Sequence, residues 1–474
     1  MSTLQRLWPA RSGELILGRY GPGWLLRCRL PLDEFDTHMY IVGKTKKGKS
    51  KYLEHLTHQL IDAGEGCGLL DPHADLADDL LAALKAQIET GDLGRRIVYF
   101  DPSRNDYLLP FNVLAAPWEP YTVAQNVLEA FRRTWPESLR EAPRFANIVL
   151  AATLALIENH LTLVEMPRLL TDAPYRQTLL QRVSDPEVVR FFQTRYDRWG
   201  REQAVIIESV LNKVGALVIN PTLRLILGQR RNALPFRRIM DEGRVLICNL
   251  GRTDGESRRL LGSLIVTGLE QAAQSRQDQP LTARKRFYLV MDEFQDYVVQ
   301  EGSAQTLSQI LSECRKFGLH LIMAHQNHSQ LSDRLQGALE NAQIKVIFGV
   351  GRQTAQSLVA EVFRPEVGGA EGRTARQGGP TLAEQWEQFS QQAQKLGRRE
   401  ILVQLPEREG VRHLRTCTVP ATNVSPGALD ALKQQLAKQA GRSVVAMKKA
   451  LAQREQRAEV GDYEIITGGT HDKT

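Results

Sequence analysis

Apolar residues along this chain gather into short unbroken runs bounded by turn residues, the pattern of strands buried on both faces. MYIVG at 39–43, CGLLD at 67–71, RIVYFD at 96–101 and RVLICNL at 244–250 are four such runs, separated by helical patterns. FYLVMDE at 287–293, LHLIMA at 319–324 and IKVIFGV at 344–350 extend the series, with helices predicted over 255–276 and around 303–317. Alternation of this kind predicts βαβ units and an α/β fold with a mostly parallel central sheet. Ahead of them, ELILGRY and WLLRCRL flank a Gly-Pro-Gly turn at 21–23 and predict a small β cap.

The texture changes between about 117 and 235, where helical periodicity is punctuated by prolines at 117, 120, 136, 143, 167, 174, 186 and 221. An all-α insertion splitting one nucleotide-binding-type domain accounts for both textures. The resulting division is an N-terminal β cap over 1–37, the first part of the nucleotide-binding domain over 38–116 and the insertion over 117–235. The second part follows over 236–420, and a C-terminal helix with a polar tail over 421–474. The glycine-rich run at 365–380 predicts a mobile loop, and two last strands are expected near 400–404 and 411–418.

Composition narrows the class. The longest nearly apolar stretches, such as NIVLAATLALIE at 147–158, stop well short of the roughly 18 to 20 residues that span a bilayer. With charges and a proline inside MSTLQRLWPARSGELIL, no export signal is read, and the expectation is a cytoplasmic protein. The five cysteines never form a CxxC spacing, which argues against a disulfide framework or a zinc ribbon. A net charge of +7, from 61 Lys+Arg against 54 Asp+Glu, suits a polyanionic partner without requiring one. Paired arginines such as Arg132 and Arg133 read for the most part as solvated helix faces, with some pairs able to touch phosphates.

The chemistry begins at GKTKKGKS, residues 43–50, which fits G-x-x-x-x-G-K-[ST] between an apolar strand and a helix. Backbone N–H groups over Gly43, Lys44, Thr45, Lys46, Lys47, Gly48 and Lys49, with Ser50 and Lys51 opening the helix, are the expected cradle for nucleotide phosphates. Lys49 reaches the β and γ phosphates of ATP, and Ser50 is a magnesium ligand. FYLVMDEFQD supplies the hydrolytic pair: Asp292 as the second magnesium-holding residue and Glu293 as the base that orients and deprotonates water. Gln326, at the end of another apolar strand, is placed at the same sheet edge to sense the γ-phosphate. Asp71, His73 and Asp75 read as a turn and helix cap rather than a metal site. Arg315, on the helix before the Gln326 strand, is a candidate to reach a nucleotide held by a neighbouring subunit.

Taken together, these segments resemble the type IV coupling proteins of conjugation and secretion, TraG/TraD-like members of the wider FtsK and HerA class of DNA-pumping ATPases. The resemblance covers most of 38–420. Beyond the two nucleotide motifs it rests on LLDPHADL, on FDPS and PFNVL at 100–103 and 110–114, on NPTLRLILGQ at 220–229, on RIMDEGRVLICNL and on SECRKFGLHLIMAHQ. It implies a RecA-like P-loop NTPase with an all-α inserted domain, working as a homo-hexamer around single- or double-stranded DNA. Gln326 matches the family's glutamine motif and Arg315 its trans-acting arginine. Two departures stand out. The membrane-spanning helices with which coupling proteins usually begin are not seen, so the expectation is docking at the inner membrane through a relaxase or secretion-channel partner, or no docking at all. Lys46 and Lys47 also occupy loop positions where the family commonly has small residues. A HerA-like double-stranded DNA translocase working with a nuclease, and a nucleotide-gated assembly module for secretion partners, are the alternative readings.

Overall fold

The computed structural model describes residues 13–135, 143–199, 201–298, 311, 313–326, 328, 331, 333–362, 382–406 and 410–460. The glycine-rich run at 365–380, most of the helix expected around 303–317 and the tail beyond Val460 lie outside these residues.

Two compact units divide the chain. The first holds residues 1–101, 125–146 and 235–436, and the second holds 102–124, 147–234 and 437–474. Among the described residues the first is built on an eleven-stranded sheet. Its strands are β1 (Glu14–Tyr20), β2 (Leu26–Pro31), β3 (Met39–Val42), β4 (Gly66–Asp71) and β5 (Ile97–Phe100). The second unit contains β6 (Tyr107–Leu108). The sheet then continues with β7 (Val245–Asn249), β8 (Phe287–Met291), β9 (Leu319–His325), β10 (Ile344–Ile347), β11 (Glu400–Gln404) and β12 (Val411–Arg415). Their order is β2-β1-β12-β11-β10-β3-β9-β8-β4-β7-β5.

From β10 to β5 every pairing is parallel, and from β10 to β2 every pairing is antiparallel. Sequence texture follows this division. Every residue of β3, β4, β8 and β9 is buried, because parallel strands carry helices on both faces, whereas β11 and β12 mix buried and open positions. The hairpin expected as a separate cap is joined to the main sheet. β12, some 400 residues downstream, pairs with β1 and with β11, closing a connection that local pattern does not contain.

Helix α1 (Lys49–Asp62) follows β3 and helix α2 (Asp75–Thr90) follows β4. The chain crosses to β4 on the far side of β8 and β9, so β3, β9 and β8 lie side by side with their C-terminal ends at one edge. Ligands of open α/β sheets collect at such an edge.

Between 117 and 235 the described residues are helical, but the sheet unit takes part of them. Arg133 is buried in it, donating to Thr267 Oγ1 at 3.0 Å and ion-paired with Glu270 at 3.4 Å and Glu129 at 3.2 Å. One member of the Arg132–Arg133 pair is therefore structural, and the expected solvated face holds only for Arg132. Burial pushes Glu270 up to about 7 even against the opposing pull of Arg133.

The second unit is mostly helical. Its apolar helices Arg201–Ile219 and Pro221–Leu227 bury Val210, Val214, Leu217 and Ile226. The C-terminal helix Val444–Val460 belongs here, tied by the pairing of β13 (Arg442–Ser443) with β6 and by an Arg454–Glu165 ion pair at 2.5 Å. Among the described residues no single helix is long and apolar enough to cross a membrane.

Candidate nucleotide site

The loop between β3 and α1 is held to neighbouring strands through its backbone. Gly43 N–H donates to the His325 carbonyl at 3.2 Å and Lys44 N–H to the Gly349 carbonyl at 3.0 Å. A Cβ at Gly43 would stand 2.3 Å from Phe348 Cβ, so the first motif glycine is required by packing. Gly48 caps α1 with φ 113, a left-handed conformation that a side chain would strain. Lys46 adopts φ 65, which explains why a small residue suits that position and what a lysine costs there, of order 1 kcal/mol.

Lys49 opens α1, is buried, and donates from Nζ to the Gly43 carbonyl. Burial pulls its ammonium below the usual lysine range, opposed by the carboxylates of Glu293 and Asp292. The Ser50 hydroxyl donates to Asp292 Oδ2 at 3.3 Å, bringing the two expected magnesium-holding side chains together. Asp292 is pushed up to about 6, first by burial and then by Glu293 beside it, against the pull of Lys49. Two crowded oxygen donors, one a carboxylate short of positive charge, are the donor set a hard divalent cation takes.

Glu293 follows with φ 47, a left-handed backbone that turns its side chain out of the strand line. Two amides hold its carboxylate. Gln326 Nε2 donates to Oε1, and Gln295 Nε2 donates to Oε2 at 2.9 Å. Gln326 in turn accepts from Thr45 Oγ1 at 2.6 Å, so one glutamine links the phosphate loop to the carboxylate. Gln295 and Arg399 were not singled out by the sequence reading. Arg399, at φ 70, donates its N–H to the Lys47 carbonyl at 3.0 Å and lies against Gly48. Gln295 had a weak signal, its place two residues after a Walker-type glutamate. Arg399 had none, since only the β10–β11 pairing carries it there.

Other expected residues face elsewhere. Lys51 Nζ is committed to Glu54 at 2.7 Å and Asp79 at 2.6 Å, and Lys47 Nζ donates to the Leu396 carbonyl at 2.7 Å. Both side chains are thus engaged away from the expected cradle. Asp71 accepts from the N–H groups of His73 and Ala77, each at 2.8 Å, and so closes the turn into α2. Arg315 is not brought to the site of its own chain. It sits on the 3-10 turn Cys314–Phe317 before β9, exposed, donating to the Asp36 carbonyl at 3.2 Å. Seven residues of β9 separate that edge from Gln326, about 20 Å of strand.

This loop, the carboxylate pair on the next-but-one strand and the glutamine between them define a RecA-like P-loop NTPase fold. Residues 286–404 match the family described as the TraM recognition site of TraD and TraG. The whole fold is similar to that of the bacterial conjugative coupling protein TrwBdeltaN70, with a TM-score of 0.58 at 16% identity over 89% of this chain and 92% of that one. The plasmid coupling protein TrwB in complex with ADP and Mg2+ aligns with a TM-score of 0.55 at 15% identity over 89% and 93%. VirB4 of Thermoanaerobacter pseudethanolicus aligns with a TM-score of 0.51 at 14% identity over 87% and 98%. The comparison with curated proteins returns no match. The chain thus has the coupling-protein fold and is TraG/TraD-like in sequence over 286–404.

Proposed function

We propose that this chain is a magnesium-dependent ATPase that assembles into a ring, a homo-hexamer by its resemblance, and moves DNA as a coupling-type motor of conjugation or type IV secretion. The observation that carries the reading is the convergence of Lys49, Ser50, Asp292, Glu293 and Gln326 on one sheet edge. TrwB, whose fold it shares, is known in complex with ADP and Mg2+ and with a non-hydrolysable ATP analogue. The TraD and TraG match over 286–404 weighs for the coupling reading over a nuclease-linked translocase or an assembly module.

In this reading the loop N–H groups and the positive end of α1 receive the phosphates, and Lys49 exchanges the Gly43 carbonyl for β and γ oxygens. Ser50 and Asp292 would hold magnesium, which neutralises phosphate oxygens as charge shifts to the leaving group. Glu293 takes the proton of the attacking water, and the amides of Gln295 and Gln326 fix the direction from which its carboxylate approaches. Gln326, bonded to Thr45, registers occupancy of the loop. Arg315 completes the site from a neighbouring subunit, at the edge where it cannot serve its own. Phosphate contacts dominate DNA binding, which is sequence-tolerant and falls with salt. A relaxase or secretion-channel protein is the partner this reading implies.

The test is steady-state ATP hydrolysis without DNA, with single-stranded and with double-stranded DNA, at low and moderate salt, with Lys49→Ala as the blank. Stimulation by DNA that weakens with salt and disappears in the blank supports the motor. Hydrolysis indifferent to DNA overturns it in favour of the assembly module.

A further inference from the structure

The antiparallel end of the sheet carries an arrangement that nucleotide chemistry does not use. Leu25 and Leu26, at the tip of the β1–β2 hairpin, are 76% and 52% exposed. The turn that presents them runs through left-handed backbone at Gly21, Gly23 and Trp24, with φ 77, 62 and 59. For a tryptophan that conformation is strained. Trp24 makes an edge contact with His413, ring centroids 5.3 Å apart at 88°.

Beside the tip, on the sheet face opposite to that of Leu26, runs a row of arginines. Arg27 of β2, Arg19 of β1 and Arg415 of β12 are in register across three neighbouring strands. In-register side chains share a face with Cβ atoms roughly 5 Å apart, and like charges so placed repel. None of the three has a carboxylate within ion-pair reach among the described residues, although Arg29 on the same strand pairs with Glu14 at 2.6 Å. Glu400, next in register after Arg415, accepts from Gly397 N–H at 2.9 Å and lies 3.8 Å from His413 instead. Among the described residues β2 is also the edge strand, so the row ends at the edge of the sheet.

We propose that this corner docks the chain directly on an anionic lipid surface, Leu25 and Leu26 entering the interface while Arg19, Arg27 and Arg415 meet lipid phosphates. Arg19 reaches the Cys417 thiol but no described carboxylate meets the row, so anions from outside would relieve its repulsion, and an apolar medium would cover the two adjacent aliphatic side chains. A bilayer with anionic headgroups supplies both within a few ångströms, with a tryptophan at the boundary where that side chain concentrates. Nucleic acid would satisfy the arginines and stack on Trp24 but return nothing for the leucines. A second copy of the chain would need an apolar area far larger than three side chains to hold it.

The measurement is flotation of the full chain with vesicles of phosphatidylcholine alone and of phosphatidylcholine mixed with phosphatidylglycerol, at low and moderate salt. Wild type is compared with Leu25→Ser/Leu26→Ser and Arg27→Gln/Arg415→Gln, each checked by thermal unfolding and by ATP hydrolysis in the absence of vesicles. We expect flotation with the anionic vesicles only, loss of it in the leucine variant, and a fall of roughly five-fold per arginine removed. Unchanged hydrolysis without vesicles keeps this outcome separate from that of the motor. Equal flotation of wild type and leucine variant, or none by wild type, overturns the proposal. A leucine variant of lower hydrodynamic mass would assign the tip to contact between copies. An arginine variant that loses DNA binding and keeps its flotation would assign the row to nucleic acid.

Discussion

The central strands β3, β8 and β9 bury titratable groups at both ends, and the two ends treat them in opposite ways. At the N-terminal end His38 and His320 are satisfied by backbone. His38 Nδ1 accepts from Leu321 N–H at 2.9 Å, so its Nε2 carries the proton and donates to the Leu311 carbonyl at 3.0 Å. His320 donates from Nδ1 to the Thr37 carbonyl at 3.1 Å and stacks on Tyr288, centroids 5.2 Å apart. Burial holds both neutral, His38 at about 3 and His320 at about 4. At the C-terminal end Lys49 donates to the Gly43 carbonyl and Asp292 accepts from the Glu293 N–H at 3.1 Å, but there the charged groups also face one another, and each shifts its neighbour. Buried ionisable groups completed by the main chain hold a fold together. Groups left to perturb each other mark the place where chemistry is done.

The widest test of this contrast is Arg315, which stands at the histidine end yet is assigned to catalysis. Arg315→Ala should cut ATP turnover by about 10³ to 10⁵-fold with nucleotide binding unchanged. Mixing it with Lys49→Ala subunits should restore activity, because each supplies what the other lacks. A mixture as inactive as its components would leave Arg315 a surface residue of the histidine end. Next in size, Glu293→Gln should lower kcat about 10² to 10⁴-fold with binding retained. Gln295→Leu, which frees one carboxylate oxygen, should lower kcat by a smaller factor without raising KM. A KM change alone would show that Gln295 does not position the base.

The histidines predict a pH effect of known sign. Their folded pKa values lie below the unfolded value near 6.5, so below that pH the unfolded chain binds protons that the native one refuses. Stability is therefore complete above about 6.5 and is lost as pH falls toward 4, by a few kcal/mol in order of magnitude. Urea unfolding of His320→Gln across this range should give a flatter profile than wild type. An identical slope would remove the histidines from the account. Smallest of all, Lys51→Ala should shift stability by about 1 kcal/mol, since Lys51 and Asp79 are half-exposed although the Glu54 carboxylate is buried. Its nucleotide affinity should stay within two-fold by titration. A larger loss would return Lys51 to the phosphate cradle.

How much of this was legible follows from distance along the chain. The loop at 43–50 was readable because strand, glycines, lysine and serine are contiguous and the helix start that uses them is local. The parallel strands were readable because each is a solid apolar run. The Ser50–Asp292 contact spans 242 residues, and the Thr45–Gln326 bond 281. Motif knowledge suggested such partners, but only β3, β9 and β8 lying side by side brings them within reach. Arg399 had no legible role because its position depends on the antiparallel pairing of β10 with β11. The hairpin's place at the sheet edge depends likewise on β12.

By itself, then, the sequence determined the elements, the parallel character of the sheet and the chemical types gathered for phosphate and metal. These are consequences of local periodicity and spacing, which act over a few residues. Tertiary structure alone decided which lysines face the loop, which amides hold Glu293, that Arg133 is buried against Glu270, and that three arginines share one face. Each of those depends on strand order and register, and a pairing shifted by one residue would send every side chain of a strand to the opposite face.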